Sequence, residues 1–280
     1  HNTNTNLSSL GSNFHFGFTQ DIDQIGNNTI TFNTSHNGTS FADFTQYDHL
    51  TNFDLNGSDT IQIALSDTLY NQISQSGTLD SLGIANFLDT QNQNGSTGSI
   101  VAQTSGGSTV LTFGANGQET GSITLDNFTL SQNKLAELGT HIEFGKLLQG
   151  TSGVDLFSAS ASAGNPSDLS SFKEFDHIID FDNSADKLTI NISTSLYDTI
   201  DHYLHPSPLD LGTTSNADLI NALSTGTANG NSLNTQISIV EINAQFPVTN
   251  APIDTILQFV NQGNISGSIT LHNVNLNGSL

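Results

Sequence analysis

The chain repeats itself, and that constrains its fold more than any other feature. Residues 44–63 read FTQYDHLTNFDLNGSDTIQI and residues 172–190 read FKEFDHIIDFDNSADKLTI. An aromatic-Asp-His triplet, a Phe-Asp pair, a further Asp and alternating aliphatics keep the same order across a one-residue gap. The match continues as LSDTLYNQI from Leu65 against ISTSLYDTI from Ile192, and resumes as VLTF then GSITLDNFTL against ILQF then GSITLHNVNL. In that last block Val110 stands to Ile256 as Gly121 stands to Gly267. Ordered matches with constant internal spacing read as a tandem duplication of one supersecondary unit. We therefore expect two modules, residues 1–148 and 149–280, with the boundary in the glycine-containing stretch 145–153. A chain of 280 residues is also the length of about two ordinary domains.

Each copy carries the same local signals. An Asp-rich turn leads into an aliphatic strand, at residues 60–65 and 187–192, with the alternation or continuous run of a half-buried or buried β position. Leu69 and Ile73, and Leu196, Ile200 and Leu204, follow at helical spacing, predicting helices over about 66–75 and 194–204. Second helices are expected at 79–88 and 216–223, the latter capped by Ser215 or Asn216. Closing hairpins should turn within 114–121 and 261–267, where Gly and Asn concentrate. Phe14, Phe16 and Phe18 alternate in an N-terminal strand expected to pair with residues 29–32, and residues 158–171 read as a surface loop. The expected class is mainly β with short helices, built as β-sandwich or β-roll-like modules.

Charge narrows the partners. Twenty-six acidic residues against four lysines, with no arginine, leave a net charge of -22. Phosphate recognition needs clustered Lys or Arg, so nucleic acid is excluded, and anionic membranes and phosphorylated ligands are disfavoured. Divalent cations are the natural counter-charge. The chain has no Cys, which removes disulfides, thiolate nucleophiles and Cys-ligated metals. It has no Met, so His1 is expected to follow a processing step or to begin an excised fragment. No signal peptide is visible, and no apolar run approaches the ~18 residues of a membrane span, so membrane insertion is not expected. Composition rich in Ser, Thr, Asn and Gly suits an extracellular protein made in bulk.

The acidic turns offer hard oxygen donors. Calcium takes about six to eight oxygens from carboxylates, amides and carbonyls. The first copy presents Asp48, Asn52, Asp54, Asn56 and Asp59, and the second presents Asp176, Asp180, Asp182, Asn183 and Asp186. Without thiols or a dense His cluster these point to Ca2+ ahead of zinc or copper. The same Asp and Asn residues would equally serve as Asx-turns and caps ahead of a strand. The second copy is the stronger candidate, because Asp180 stands where the first copy has the amide of Asn52.

At these residues the chain resembles a known family. The pattern Asp-x-Ile-x-Asp-Phe-x-x-x-x-Asp-x-Leu/Ile-x-Ile, closed by a hairpin ending Ile-Thr-Leu-x-x-Val/Phe-x-Leu, resembles the C-terminal module of RTX-type proteins exported by type I secretion, the module that follows the calcium repeats of serralysin-like proteases. Gly150-Thr-Ser-Gly153-Val-Asp155-Leu-Phe157 resembles one degenerate RTX nonapeptide, which brings Asp155 into the candidate set. The tandem nonapeptides of a calcium β-roll are missing. The resemblance implies secretion, calcium and a mainly β fold, and it leaves activity open, because S-layer proteins, adhesins, toxins, lipases and proteases all carry such modules.

No catalytic constellation stands out. His202-Tyr-Leu-His205 lacks the Glu of a zincin helix and runs into Pro206, and there is no Gly-x-Ser-x-Gly elbow or phosphate loop. His49 and His177 occupy matching places, which a shared ancestor explains. The expected function is a secreted, calcium-dependent, non-enzymatic building block of an extracellular layer, filament or adhesive matrix, self-associating through β edges, with Phe14, Phe16 and Phe18 as a candidate donor strand. Alternatives are the secretion and stability module of a cleaved exoenzyme, or an adhesin module that binds a cell-surface glycan.

Overall fold

The computed structural model describes residues 17, 19–22, 28–35, 37–54, 59–74, 98–130, 138, 141–160, 166–206, 214–243 and 253–274. They are mainly β with short helices, the expected class. The chain divides into two compact units, residues 1–63 with 71–143, and residues 64–70 with 144–280. The change-over thus falls between residues 143 and 144, and a short segment starting the first helix goes with the second unit. The second helix expected at 79–88 lies outside the described residues. Among the described residues no helix is long and apolar enough to cross a membrane.

The first part of the chain supplies β1 (Thr19–Asp21), β2 (Thr29–Asn33), a 3-10 turn at Phe41–Asp43, β3 (Tyr47–Thr51), β4 (Thr60–Ser66), α1 (Asp67–Ser74), β5 (Ser99–Ser105), β6 (Ser108–Ala115) and β7 (Gln118–Leu125). One sheet of the first unit runs in the order β1-β3-β7-β6-β5. β1 and β7 flank β3 in parallel, and β6 is antiparallel to both β7 and β5. Phe44 stacks on Phe113, ring centroids 4.0 Å apart, over a core that includes Leu50, Ile123 and Leu125.

The strand expected at Phe14, Phe16 and Phe18 lies outside the described residues; β1, which follows it, lies beside β3, with Thr19 paired to His49, while the Asn28 carbonyl accepts the Thr60 N–H at the start of β4. The β6–β7 hairpin turns within the expected stretch 114–121. It closes at Ala115 beside Gln118, turning on Asn116 and Gly117, both at positive φ. Gly121 lies within β7, where a Cβ would fall 2.6 Å from the Gln46 carbonyl oxygen.

The rest of the chain supplies β8 (Ile142–Gln149), β9 (Leu156–Ser160), β10 (Phe175–Ile179), β11 (Lys187–Asn191), α2 (Thr194–Leu204), α3 (Asn216–Thr225), the two-residue strands β12 (Thr227–Ala228) and β13 (Asn231–Ser232), β14 (Thr235–Asn243), β15 (Ile253–Asn261) and β16 (Asn264–Leu271). In the second unit the order β8-β10-β16-β15-β14 repeats β1-β3-β7-β6-β5, with the same directions. Asp48 lies beside Ile123 and Asp176 beside Ile269. The two hairpins break register at matching places, Phe113/Gly114 and Phe259/Val260, and Phe172 stacks on Phe259 at 4.3 Å as Phe44 does on Phe113.

β9 and β11 form a separate parallel pair, so Ser158 and Ser160 belong to a strand and not to the expected loop. Their small side chains suited either state, and the ladder to β11 decides it. Ser193 caps α2 through the Leu196 N–H, and Ser215 with Asp218 makes a capping box on α3, which ends on left-handed Gly226. Leu196, Ile200 and Leu223 turn inward onto a core with Phe172, Phe259 and Ile269.

Candidate functional site

The acidic turns are organised around one buried carboxylate in each unit. Asp59 accepts from the backbone N–H and side-chain amide of Asn28 on one oxygen and from the Asp54 N–H on the other, at 2.8–3.0 Å. Asp186 accepts from the Asp155 N–H and the Asp182 N–H in the same two positions, at 2.8 and 2.9 Å. Each carboxylate therefore ties the turn before one strand to the start of the strand beside it. Asp182 is exposed and accepts from the Ser184 N–H and hydroxyl, which hold its carboxyl below the usual carboxylate range. Asp155 accepts from the N–H and hydroxyl of Thr151. Asp180, exposed and at positive φ, accepts from the Gln149 side chain at 2.9 Å.

The structure thus brings Asp54 together with Asp59, and Asp155 and Asp182 with Asp186. Asp48 stands half-buried on β3, and Asp176 is buried on β10. Among the described residues no three His or acidic side chains are grouped to hold a metal ion. As arranged, Asp59 and Asp186 fit the binding of backbone N–H groups, and Asp155, Asp180 and Asp182 are the more accessible carboxylates near the second turn.

Asp176 sits in a different setting. It accepts the Lys146 N–H at 2.8 Å, and burial, reinforced by the nearby Glu174 carboxylate, pushes its pKa up to about 7. Lys146 reaches Glu174 at 3.9 Å and lies 5.4 Å over the Tyr70 ring. Glu143, in the first unit, is likewise raised to about 7 by burial, against the opposing hydrogen bond from Gln62.

Sequence reasoning missed a buried chain of imidazoles. His177 Nδ1 lies 2.9 Å from His272 Nε2, and His272 Nδ1 lies 3.0 Å from Asp254, which also accepts the Asn273 N–H. Burial depresses the His177 pKa to about 3, so it is neutral at ordinary pH. Burial of Asp254 opposes its ionisation, but the bonds from His272 and Asn273 outweigh that and hold it below the usual range. Such a row can pass a proton. Its inner end, His177 Nε2, is buried and meets no hydrogen-bond partner among the described residues. The local signal was slight: His272 replaces Asp126, which faces exposed His49 at 3.4 Å in the first unit.

An accessible apolar surface lies on the second unit beside β11. A cavity of about 480 Å³ is lined by Leu188, Ile190, Leu219, Ile220, Ile237 and Ile239, among others. Ile220 is 56% exposed and Ile239 40%. On the far side of its pair with β9, β11 meets no other strand among the described residues. No protein-family model, no curated protein and no solved structure matches the chain.

Proposed function

We propose that the chain is a secreted, non-enzymatic structural subunit of an extracellular layer, filament or adhesive matrix, joining further copies of itself through β edges. The observation that carries this reading is the flank of β11 that no other strand among the described residues pairs, beside an apolar cavity. An open strand edge is a template for another strand unless Lys, Pro or a bulge blunts it, and β11 carries only Lys187 at its start. The matching strand order of the two units supports their descent from one duplicated module. The resemblance to the RTX C-terminal module supports secretion and a role for calcium.

Calcium enters this proposal as a counter-ion. Copies that each carry a net charge of -22 repel one another, and divalent cations lower that repulsion. Contact between two different surfaces gives open fibres or sheets. Analytical ultracentrifugation and electron microscopy of the purified chain, with and without millimolar calcium, test the reading. Fibres or sheets that need calcium support it, and a monomer at every protein and calcium concentration overturns it.

A further inference from the structure

Building on that reading, we infer that the open edge of β11 receives the N-terminal segment of a second copy of this chain, residues 14–18, added as a parallel strand with Phe14 beside Leu188 and Phe16 beside Ile190. The first unit shows what such an edge carries when it is covered. There Ile61 and Ile63 of β4 are fully buried, whereas Leu188 and Ile190, which follow the corresponding Asp in the second copy, are half-exposed. Within the first unit the Ile61 N–H donates to the His141 carbonyl at 2.7 Å, and Gln62 bonds Glu143 at 2.7 Å. This places Ile61 beside Ile142 at the start of β8.

β8 has a counterpart, and it is β1. Leu147 pairs in parallel with His177 as Thr19 pairs with His49. Phe144-Gly145 of β8 matches Phe16-Gly17. Both glycines permit the same close approach: a Cβ would fall 1.7 Å from the Phe175 carbonyl oxygen at Gly145, and 1.3 Å from that of Tyr47 at Gly17. β8 thus uses its later residues on β10, while its first residues lie along β4. β1 uses Thr19–Asp21 on β3. The residues just before it, by the same correspondence, are those that lie along the partner of β4's kind, and that partner is β11.

The chemistry of donor and acceptor agrees. Partners in a parallel ladder point to the same face, so Phe14 and Phe16 would join Leu188 and Ile190 over the cavity edged by exposed Ile220 and Ile239. Their counterparts on β8, Ile142 and Phe144, are buried. The chain has no acidic residue before Asp21, so the donor brings no negative charge to an acidic acceptor. One strand would then serve two molecules, its later half in its own sheet and its earlier half on a neighbour.

The absence of Cys allows a direct test on the full-length chain. His15→Cys and Thr189→Cys variants are prepared separately, mixed under assembly conditions and oxidised. Adjacent strands lie about 4.8 Å apart, within the Cα separation of roughly 4.4–6.8 Å that a disulfide spans. The expected result is a mixed disulfide dimer severalfold more abundant than with Asn116→Cys, in an exposed turn, replacing Thr189→Cys. A peptide of residues 12–20 should also suppress assembly, and the same peptide with both Phe14→Ser and Phe16→Ser should not. Assembly without excess 15–189 cross-linking overturns this inference and leaves the proposed function standing. So does a monomer-sized product from the doubly substituted chain, which would mean that the chain covers its own edge. Failure of the unmodified chain to assemble at all overturns both.

Discussion

Asp176 takes its one backbone hydrogen bond from Lys146, on the neighbouring parallel strand, in a site buried enough to raise its pKa to about 7. The folded chain holds this proton where the unfolded chain, with an ordinary carboxylate, has lost it. The stability from this group is complete below the unfolded value and is lost as pH rises through about 7. Glu143 acts in the same direction over the same window. Asp176→Asn keeps the acceptor without the ionisation. Its melting temperature should match that of the unsubstituted chain near pH 4 and exceed it at pH 8. Equal slopes of melting temperature against pH for the two proteins would refute this.

His177 works in the opposite sense. Its folded pKa, about 3, lies below the unfolded value near 6.5. The stability it contributes is complete above that unfolded value and is lost as pH falls toward 3. His177→Phe should therefore remove part of the acid destabilisation between pH 6.5 and 4, read by circular dichroism. Unchanged acid sensitivity would count against a neutral buried imidazole.

Asp186 and Asp59 are buried carboxylates that each hold a turn. Asp186→Ala strands the part-buried N–H groups of Asp155 and Asp182, and at about 1 kcal/mol or more for each unpaired group a loss of roughly 2 kcal/mol or more in urea denaturation is expected. Asp186→Asn keeps an acceptor oxygen and should lose less. Equal losses for the two variants would point to charge, not to acceptor geometry.

The stacked phenylalanines are the matching anchors of the two hairpins. Phe113→Ala and Phe259→Ala each open a cavity in a fully buried position. A loss of about 3–5 kcal/mol is expected for each. A loss under about 1 kcal/mol in either would show that its unit repacks around the gap.

For calcium, the doubly substituted Asp180→Asn, Asp182→Asn chain should lose most of any calcium-induced rise in melting temperature. A ligand bound only by the native state stabilises by about 2.7 kcal/mol at a hundredfold excess over Kd. If the rise persists in full, these two residues act in the turn alone and the cation acts on the charge of the whole chain.

The helix limits were legible because their signals are local. Leu196, Ile200 and Leu204 mark α2 at the residues observed, and Ser215, one of the two expected caps, opens α3, which runs two residues past its expected end. The Asp-rich turns were legible as turns. What Asp186 holds was not, because Asp155 lies 31 residues away and meets it only through the parallel pairing of β9 with β11. The partner of β1 and the meeting of His177 with His272 were hidden for the same reason. Periodicity reports the buried face of a strand, and lateral order is settled by packing of the whole unit.

That lateral order sets the timing of folding. His49 and Asp126 are 77 residues apart, and His177 and His272 are 95 apart, yet each pair lies across the central parallel ladder of its unit. Closing loops of that length precedes any gain from burying the strands, which makes such topologies slow to form. A chain emerging from the ribosome cannot complete either ladder until β7 or β16 has been made. Each unit therefore spends its synthesis as an open polypeptide, a state that can be threaded through a narrow channel.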